Sequence, residues 1–245
     1  MFYFEKINGK TIMKSDLLVG VEHFFTTRES VIKTKEQDCI NLVEENKKIF
    51  SQYLGIDSVN LINPSQTHSV NIEVALVGKS DYPECDAVIL TNREQGLFLN
   101  FADCTPVIIY DEKQNIGAIS HAGWRGTAGK ISVLTVEKLV REFSSNVDDL
   151  KVAIGSAISM CCYNVGDDVL QKLLSTIPDT RGVFEQREGQ LFVDLKEINR
   201  RQLESVGVLK IDVCPYCTVC DNDLFFSYRK ENATTNRHSA VLKLR

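Results

Sequence analysis

Histidine, tryptophan and long apolar runs are scarce in this chain of 245 residues. It contains four histidines and one tryptophan, and its apolar runs are far shorter than the about 20 residues that a membrane-spanning helix needs. The N-terminus, Met-Phe-Tyr-Phe-Glu-Lys, lacks the basic start and apolar stretch of a secretion signal. We therefore expect a cytoplasmic protein with no membrane partner, and eight cysteines that are reduced thiols or metal ligands.

The chain also lacks an excess of positive charge. It carries 28 Lys and Arg against 33 Asp and Glu, a net charge of -5, so we expect no nucleic-acid partner. Its hydrophobic content of 43% and charged content of 25% are ordinary for a globular protein. No linker or repeat divides it, and we predict one domain over residues 1–245.

Strand-like and helix-like segments alternate, which predicts a mixed α/β (α+β) class: a layered sandwich of mixed β-sheets flanked by helices. A helix is predicted to begin at Thr127 as its N-cap, and another to span 167–174. Asp194 and Glu197 have the spacing of a capping box, and that helix should end near Gly207. Strands are predicted at 70–77, 97–101, 106–110, 116–120, 152–154, 209–213, 225–227 and 240–242.

Three residues in densely patterned segments suggest a metal site: His68, Cys104 and His121. Two imidazoles and one thiolate supply three of the four ligands of tetrahedral Zn²⁺, and the open fourth position is typical of a catalytic metal. Their spacing matches no short metal motif, and without the surrounding patterns a structural role would be favoured for each residue. His23 has strand-like neighbours and suits a structural histidine, whereas His238, beside Arg237, suits a solvated one.

The C-terminal cysteines have three interpretations. Cys214-Pro-Tyr-Cys217 resembles a redox dithiol, although no helix is expected to follow it. A structural zinc cluster would join Cys214, Cys217 and Cys220 to Cys161 or Cys162. Neighbouring buried thiols are the favoured interpretation.

The sequence resembles the YfiH-type purine nucleoside phosphorylases, formerly described as laccase-like polyphenol oxidases. The most specific blocks are Ala-Asp-Cys-Thr-Pro and His-Ala-Gly-Trp-Arg-Gly. The matching segments are 66–70, 86–88, 102–106, 121–126, 154–166, 194–195, 217–218 and 225–229. The resemblance implies a mixed α/β sandwich with zinc on His68, Cys104 and His121. It also implies phosphorolysis of adenosine, inosine and methylthioadenosine to a free base and a pentose 1-phosphate, with adenosine deamination as a further activity.

With purine nucleosides and phosphate as small-molecule partners, further residues acquire roles. Arg125, Arg229 and Arg237 are candidate substrate-binding anion clamps, a role that we weigh equally with structural ion pairs. Asp103 is a candidate catalytic residue beside Cys104, either accepting a hydrogen bond or transferring a proton.

Three other functions use the same residues. A copper-dependent phenol oxidase would need more histidines than four for a multicopper cluster, so oxidase activity would reflect Cu²⁺ replacing Zn²⁺. A metal-free Cys-His hydrolase or amidase would use Cys104 as nucleophile and His121 as base. A role in peptidoglycan-precursor editing is the third. Metal content and substrate screening distinguish these functions.

Overall fold

The computed structural model describes residues 1–37 and 39–245. Five α-helices are found there: α1 Ile40–Leu54, α2 Trp124–Ala128, α3 Ile131–Phe143, α4 Asp167–Leu174 and α5 Leu195–Ser205. The strands are β1 Phe2–Ile7, β2 Lys10–Ser15, β3 Val21–Thr26, β4 Leu61–Ile62, β5 Ile72–Val74, β6 Ala87–Leu90, β7 Gly96–Phe101, β8 Thr105–Asp111, β9 Ile116–Ala122, β10 Leu150–Ile154, β11 Asn164–Val165, β12 Phe184–Arg187, β13 Gln190–Val193, β14 Lys210–Val213 and β15 His238–Leu244. No helix within these residues is both long and apolar enough to cross a bilayer.

The strands form two six-stranded sheets and one small sheet. The first has the order β1-β2-β3-β15-β7-β4, the second β14-β10-β8-β9-β6-β5, and the third β11-β13-β12. Parallel and antiparallel pairs occur in both large sheets. The fold is therefore a mixed α+β sandwich, as the alternating pattern predicts.

The central core lies between the two large sheets. Leu99 of β7 and Leu242 of β15 share a cluster with Ile108 of β8 and Ile119 of β9, and all four are fully buried. Gly117 allows the sheets to approach closely, because a Cβ there would lie 2.6 Å from Leu242 Cδ2. These strands are buried on both faces, which explains their nearly continuous apolar sequences.

Helices cover the outer faces of both sheets. Phe50 of α1 packs on Phe24 of β3, with ring centroids 5.1 Å apart. Val136 of α3 and Leu203 of α5 pack with Val107 of β8 on the other side. The architecture is therefore a helix–sheet–sheet–helix sandwich, with the predicted helices as outer layers.

Most predicted strands are confirmed, with two differences. The segment 70–77 forms a strand only over Ile72–Val74. The prediction of a strand at 225–227 is wrong: Phe225 lies in a turn in which its N–H donates to Asp221 O at 3.1 Å. Phe225 and Phe226 are apolar because they fill the core from an irregular segment, not because they pair in a sheet.

Two helix predictions are confirmed in their main features. α4 spans the predicted residues, and Asp194 caps α5 by accepting the Glu197 N–H at 3.0 Å. Gly207 lies just beyond the helix with φ +94°. The predicted return contact from the Glu197 carboxylate is absent among the described residues, because that group instead accepts from Arg200 and Arg201.

The prediction of a helix start at Thr127 is wrong. α2 begins after Gly123, so Thr127 lies inside it, and its hydroxyl donates to Ala122 O at 3.3 Å. The next helix, α3, begins after Lys130, whose φ of +57° breaks the chain direction between the two.

Candidate metal centre

The structure brings His68, Cys104 and His121 together at one end of the sandwich. His68 lies between β4 and β5, Cys104 in the turn that joins β7 to β8, and His121 on β9. That turn carries the chain from the first sheet to the second, so Cys104 sits where the two layers meet. One ligand atom from each residue lies within 4.8 Å of the others, and Cys104 Sγ is 3.7 Å from His68 Nε2.

Hydrogen bonds between side chains and backbone groups position the loop that carries His68. Gln66 exchanges two hydrogen bonds with the Asn100 backbone, at 2.9 and 2.8 Å. His68 itself has φ +63°, a left-handed conformation that a non-glycine residue adopts only when its surroundings enforce it. The Asp86 carboxylate enforces it by accepting the N–H groups of Thr67, His68 and Ser69 at 3.1, 3.1 and 2.7 Å.

Asp86 also orients His121, a role that the sequence analysis missed. Its Oδ1 lies 2.8 Å from His121 Nδ1, and both side chains are buried. The other ring nitrogen, Nε2, is thereby left for a metal, as in carboxylate–histidine–metal arrangements. The available signal was an Asp directly before the apolar strand β6, within the segment 86–88.

The electrostatics are those of an ion-pair network. Burial would raise the pKa of Asp86, but hydrogen bonds from His121 and Ser69 hold it well below its ordinary value. Burial also acts to raise the pKa of Cys104, yet the His121 charge and hydrogen bonds from His121 and His68 lower it to about 6. Burial lowers the pKa of His121, whereas Cys104 and Asp86 together raise it to about 9. Without a metal, Cys104 and His121 therefore form a thiolate–imidazolium pair.

The three residues fit a tetrahedral metal ion. A Cβ on Gly123 would lie 2.9 Å from Cys104 Sγ and 3.1 Å from His68 Cδ2, so glycine keeps that space clear. His68 is exposed and His121 is buried, which opens the site to solvent on one side. Two nitrogen donors and one sulfur donor suit Zn²⁺ or Cu²⁺, with a position left for a ligand.

Both carboxylate oxygens of Asp103 accept hydrogen bonds from the protein. Oδ1 accepts the Thr218 hydroxyl at 2.6 Å, and Oδ2 accepts the Arg229 N–H at 2.7 Å. Its φ of +85° turns the chain immediately before Cys104. These contacts favour a positioning role for Asp103 over proton transfer, because neither oxygen is left without a donor.

The arginines surround this end of the molecule in different ways. Arg125 is exposed and stacks on Trp124 at 4.3 Å, and no ion pair to it occurs within the described residues. Arg229 hydrogen-bonds to Asn164 and lies 5.3 Å over the Tyr163 ring. Burial and then the Cys104 charge raise the pKa of Tyr163 to about 12, with Arg229 and Arg125 acting in the opposite direction. Tyr163 therefore lies within the field of these charges, and the sequence analysis gave it no role.

Arg237 and the remaining histidines make contacts within the protein. The Arg237 guanidinium donates to Thr234 O and Asn236 O at 2.6 and 2.8 Å, while burial lowers its pKa and Cys104 and Asp103 act to raise it. The expectation that His238 is solvated is wrong: it is 1% exposed and stacks on Phe226. His23 is buried and accepts the Ser15 N–H at 3.0 Å, as a structural histidine does.

A second group of metal-binding residues consists of Cys161, Cys162, Cys217 and Cys220. No disulfide joins the cysteines within residues 1–37 and 39–245. Cys214 is not part of the group, because it is buried with its Sγ 3.7 Å from Met13 Sδ. The redox pair formed with Cys217 is thus not assembled. The favoured interpretation as buried thiols fails for Cys161 and Cys220, which are exposed.

The comparisons with known proteins agree with this fold. A family model described as multi-copper polyphenol oxidoreductase laccase matches residues 22–245. The crystal structure of YlmD from Geobacillus stearothermophilus has a TM-score of 0.89 at 28% identity, covering 99% of this chain and 98% of that one. The hypothetical protein YfiH of Bacillus licheniformis has the same TM-score and identity, covering 99% of both chains.

Two relatives have activities in their names. Purine nucleoside phosphorylase YlmD of Geobacillus stearothermophilus is 34% identical over 215 residues, covering 82% of this chain and 78% of that protein. Adenosine deaminase RL5, from an unknown prokaryotic organism, is 30% identical over 241 residues, covering 89% and 92%. The fold and site thus define a two-sheet α+β protein with a His–Cys–His centre where the sheets meet. The chain belongs to the YfiH family, whose model carries the laccase description.

Proposed function

We propose that this protein is a zinc-dependent purine nucleoside phosphorylase. It cleaves adenosine, inosine and methylthioadenosine with phosphate to a free base and a pentose 1-phosphate. Relatives named purine nucleoside phosphorylase that align over most of the chain support the reaction. The observation that carries the proposal is the open cluster of His68, Cys104 and His121, to which Asp86 adds the buried carboxylate expected behind a metal-bound imidazole.

The residues of the site have separate roles in this proposal. His68, Cys104 and His121 hold the ion, which when bound supplies a Lewis acid for an oxygen of phosphate or substrate. Asp86 keeps the His121 proton on Nδ1, so that Nε2 stays available as a ligand. Asp103 holds Thr218 and the Arg229 backbone in place beside the metal ligands.

Phosphate and the nucleoside need cations and an aromatic surface. Arg125 is exposed, and its guanidinium can form paired hydrogen bonds to phosphate oxygens. Arg229 is also exposed and lies over Tyr163, so one corner of the site combines positive charge with an aromatic ring. Arg237 makes local backbone contacts, and we assign it an electrostatic contribution near Cys104 and Asp103.

The direct test is an assay of adenosine and inosine turnover with and without inorganic phosphate. Chromatography would measure free base, pentose 1-phosphate and deaminated nucleoside separately. We expect base release that requires both phosphate and bound zinc, and that is lost in His68→Ala. Arg125→Ala should raise the KM for phosphate, whereas Arg181→Ala should not, because Arg181 is a surface residue paired with Asp179.

Adenosine deamination is the second candidate activity, supported by the relative named adenosine deaminase RL5. It would appear in the same assay as inosine formed without phosphate. If the zinc-loaded protein turned over no purine nucleoside, the proposal would be refuted. Activity on amides in metal-free protein would then favour the Cys-His hydrolase, since Cys104 and His121 form an ion pair without metal. Oxidation of phenols only with Cu²⁺, or activity only on peptidoglycan precursors, would favour the other two alternatives.

A further inference from the structure

Four cysteines from two distant segments meet outside the His–Cys–His centre. They are Cys161, Cys162, Cys217 and Cys220, and their sulfur atoms all lie within 4.8 Å of one another. Cys220 Sγ is 3.6 Å from Cys161 Sγ and 3.5 Å from Cys162 Sγ. The function proposed above makes no use of these thiols.

The spacing of the sulfurs suits a shared metal ion. Four thiolates at a zinc–sulfur distance of about 2.3 Å define a tetrahedron with edges of about 3.8 Å. The observed separations from Cys220 are close to that edge. A disulfide needs sulfurs about 2.05 Å apart, well below the separations of 3.6 and 3.5 Å from Cys220.

The backbone around the cluster has the form of a metal knuckle. Cys217-Thr-Val-Cys220 is a tight turn, closed by Asp221 N–H donating to Cys217 O at 2.8 Å. Cys217 Sγ accepts the Ser159 N–H at 3.4 Å, which is the kind of contact that stabilises a thiolate. A parallel bridge between Ala157 and Cys217 sets the register of the two segments. The adjacent cysteines Cys161 and Cys162 are thereby aligned with the turn.

We propose that Cys161, Cys162, Cys217 and Cys220 form a structural zinc site with four thiolate ligands. Four protein ligands leave no open position, in contrast to the three at the His–Cys–His centre. Cys161 and Cys220 are exposed, so an ion reaches the cluster from solvent. This inference does not depend on the proposed nucleoside chemistry.

The site ties two loops together beside the His–Cys–His centre. Thr218 lies inside the Cys217–Cys220 turn, and its hydroxyl donates to Asp103, the neighbour of Cys104. Tyr163 follows Cys162 directly and supports the Arg229 guanidinium at 5.3 Å. Zinc bound by the four thiolates would therefore fix both the support of Asp103 and the surface beneath Arg229.

The experiment is a count of zinc per chain by elemental analysis, on protein purified with a reductant and saturating zinc and then freed of loosely bound metal. We expect two zinc ions in the wild type, one in His68→Ala, one in Cys220→Ser and none when the two changes are combined. Cys39→Ser is the matched control, since Cys39 lies outside both clusters, and it should retain two. Failure of the proposed nucleoside chemistry would leave these counts unchanged, which keeps the two proposals separate.

Cobalt substitution of His68→Ala identifies the ligands without any cysteine change. We expect thiolate-to-cobalt charge transfer of the intensity of four thiolates, together with strong visible bands of tetrahedral Co²⁺. Weak bands typical of octahedral cobalt, or full zinc retention by Cys220→Ser, would overturn the proposal. So would a disulfide from Cys220 to Cys161 or Cys162 in the reductant-treated protein, detected by peptide mass spectrometry.

Discussion

Asp103 connects the His–Cys–His centre with the four-cysteine cluster, because it precedes Cys104 and accepts the Thr218 hydroxyl. The two clusters nevertheless lie on different kinds of structure. The first takes Cys104 and His121 from the ends of fully buried strands and His68 from a loop, and Asp86 hydrogen-bonds to that loop and to His121. The second is carried by a turn and an irregular loop, with two of its four thiols exposed. The sandwich itself therefore holds the first cluster in shape, whereas the order of the second cluster depends on a ligand bound by its sulfur atoms.

This difference distinguishes a catalytic metal site from a structural one. A site that the protein preorganises can leave one position open, and an open position permits chemistry. A site on turns gains its order from the ion, so the ion serves the fold. Removing metal should thus cost activity at the first cluster and local order at the second.

The largest expected effect is that of Cys104→Ala. Removing a direct ligand should abolish nucleoside turnover, a larger loss than the about 10- to 100-fold that follows when an outer partner of a metal ligand is removed. The zinc count should fall by one, with the ion at the four-cysteine cluster retained. Circular dichroism should show an unchanged fold. Turnover that persisted in metal-free Cys104→Ala protein would contradict the assignment.

Thiol reactivity should also distinguish the clusters once metal is stripped. His121 and His68 lower the pKa of Cys104 to about 6 against the burial that raises it, so its thiolate persists at neutral pH. Burial and then Cys220 raise the pKa of Cys162 to about 11. At pH 7 Cys104 is therefore largely thiolate and Cys162 largely thiol, so the ratio of the Cys104 to the Cys162 labelling rate should be well above one, even though a low-pKa thiolate is the weaker nucleophile.

An aromatic disulfide reagent followed by peptide mass spectrometry measures this ratio. Labelling of Cys104 should fall as the pH drops through about 6, because protonation removes the thiolate. Labelling of Cys162 should instead keep rising up to about pH 11. Equal rates at pH 7 would show that the His121–Cys104 ion pair is not formed in solution.

Asp86→Asn tests whether the sandwich preorganises the first cluster. The substitution removes the charge behind His121 and one of the acceptors for the 67–69 loop. We expect zinc affinity at the His–Cys–His centre to fall by about 10- to 100-fold, measured by competition with a chelator. Asp194→Asn is the control, because Asp194 also accepts a backbone N–H but lies at the start of α5. An equal loss in both variants would point to general destabilisation.

The sequence predicts those parts of the fold and of the site that have local signals. The strands 97–101, 106–110 and 116–120 are continuous apolar runs because both of their faces are buried. The Asp194 cap has its signature within four residues. The patterned segments of His68, Cys104 and His121 predict a shared site, and the structure places the three residues together.

What the sequence did not predict depends on contacts between distant residues. Asp86 directly precedes an apolar strand, but its imidazole partner is on another strand, so the local sequence does not reveal the contact. The sequence suggested a cluster with Cys214 and only one of Cys161 and Cys162, whereas the Ala157–Cys217 bridge aligns the segments so that both of these residues join Cys217 and Cys220. Thr127 is a residue type that commonly caps helices. However, β9 ends at Ala122 and α2 begins directly after Gly123, so Thr127 lies inside the helix.

The smallest expected effect concerns the link between the two clusters. Thr218 is fully buried, and its hydroxyl donates to Asp103 Oδ1 at 2.6 Å. Thr218→Val keeps the shape but leaves a buried carboxylate oxygen without this donor, which should lower the free energy of unfolding by about 1–3 kcal/mol. Thr27→Val is the matched control, since that buried hydroxyl donates to the neutral Thr11 carbonyl and its loss should cost less. Urea unfolding of both variants measures the difference.

Zinc counts on the same two variants decide how independent the clusters are. Because Thr218 contributes no metal ligand, Thr218→Val should retain both ions, with only a weaker connection between the turn and Asp103. If the variant lost the ion at His68, Cys104 and His121, the sandwich alone would not hold that site in shape. The second cluster would then be a condition for the first rather than a separate support.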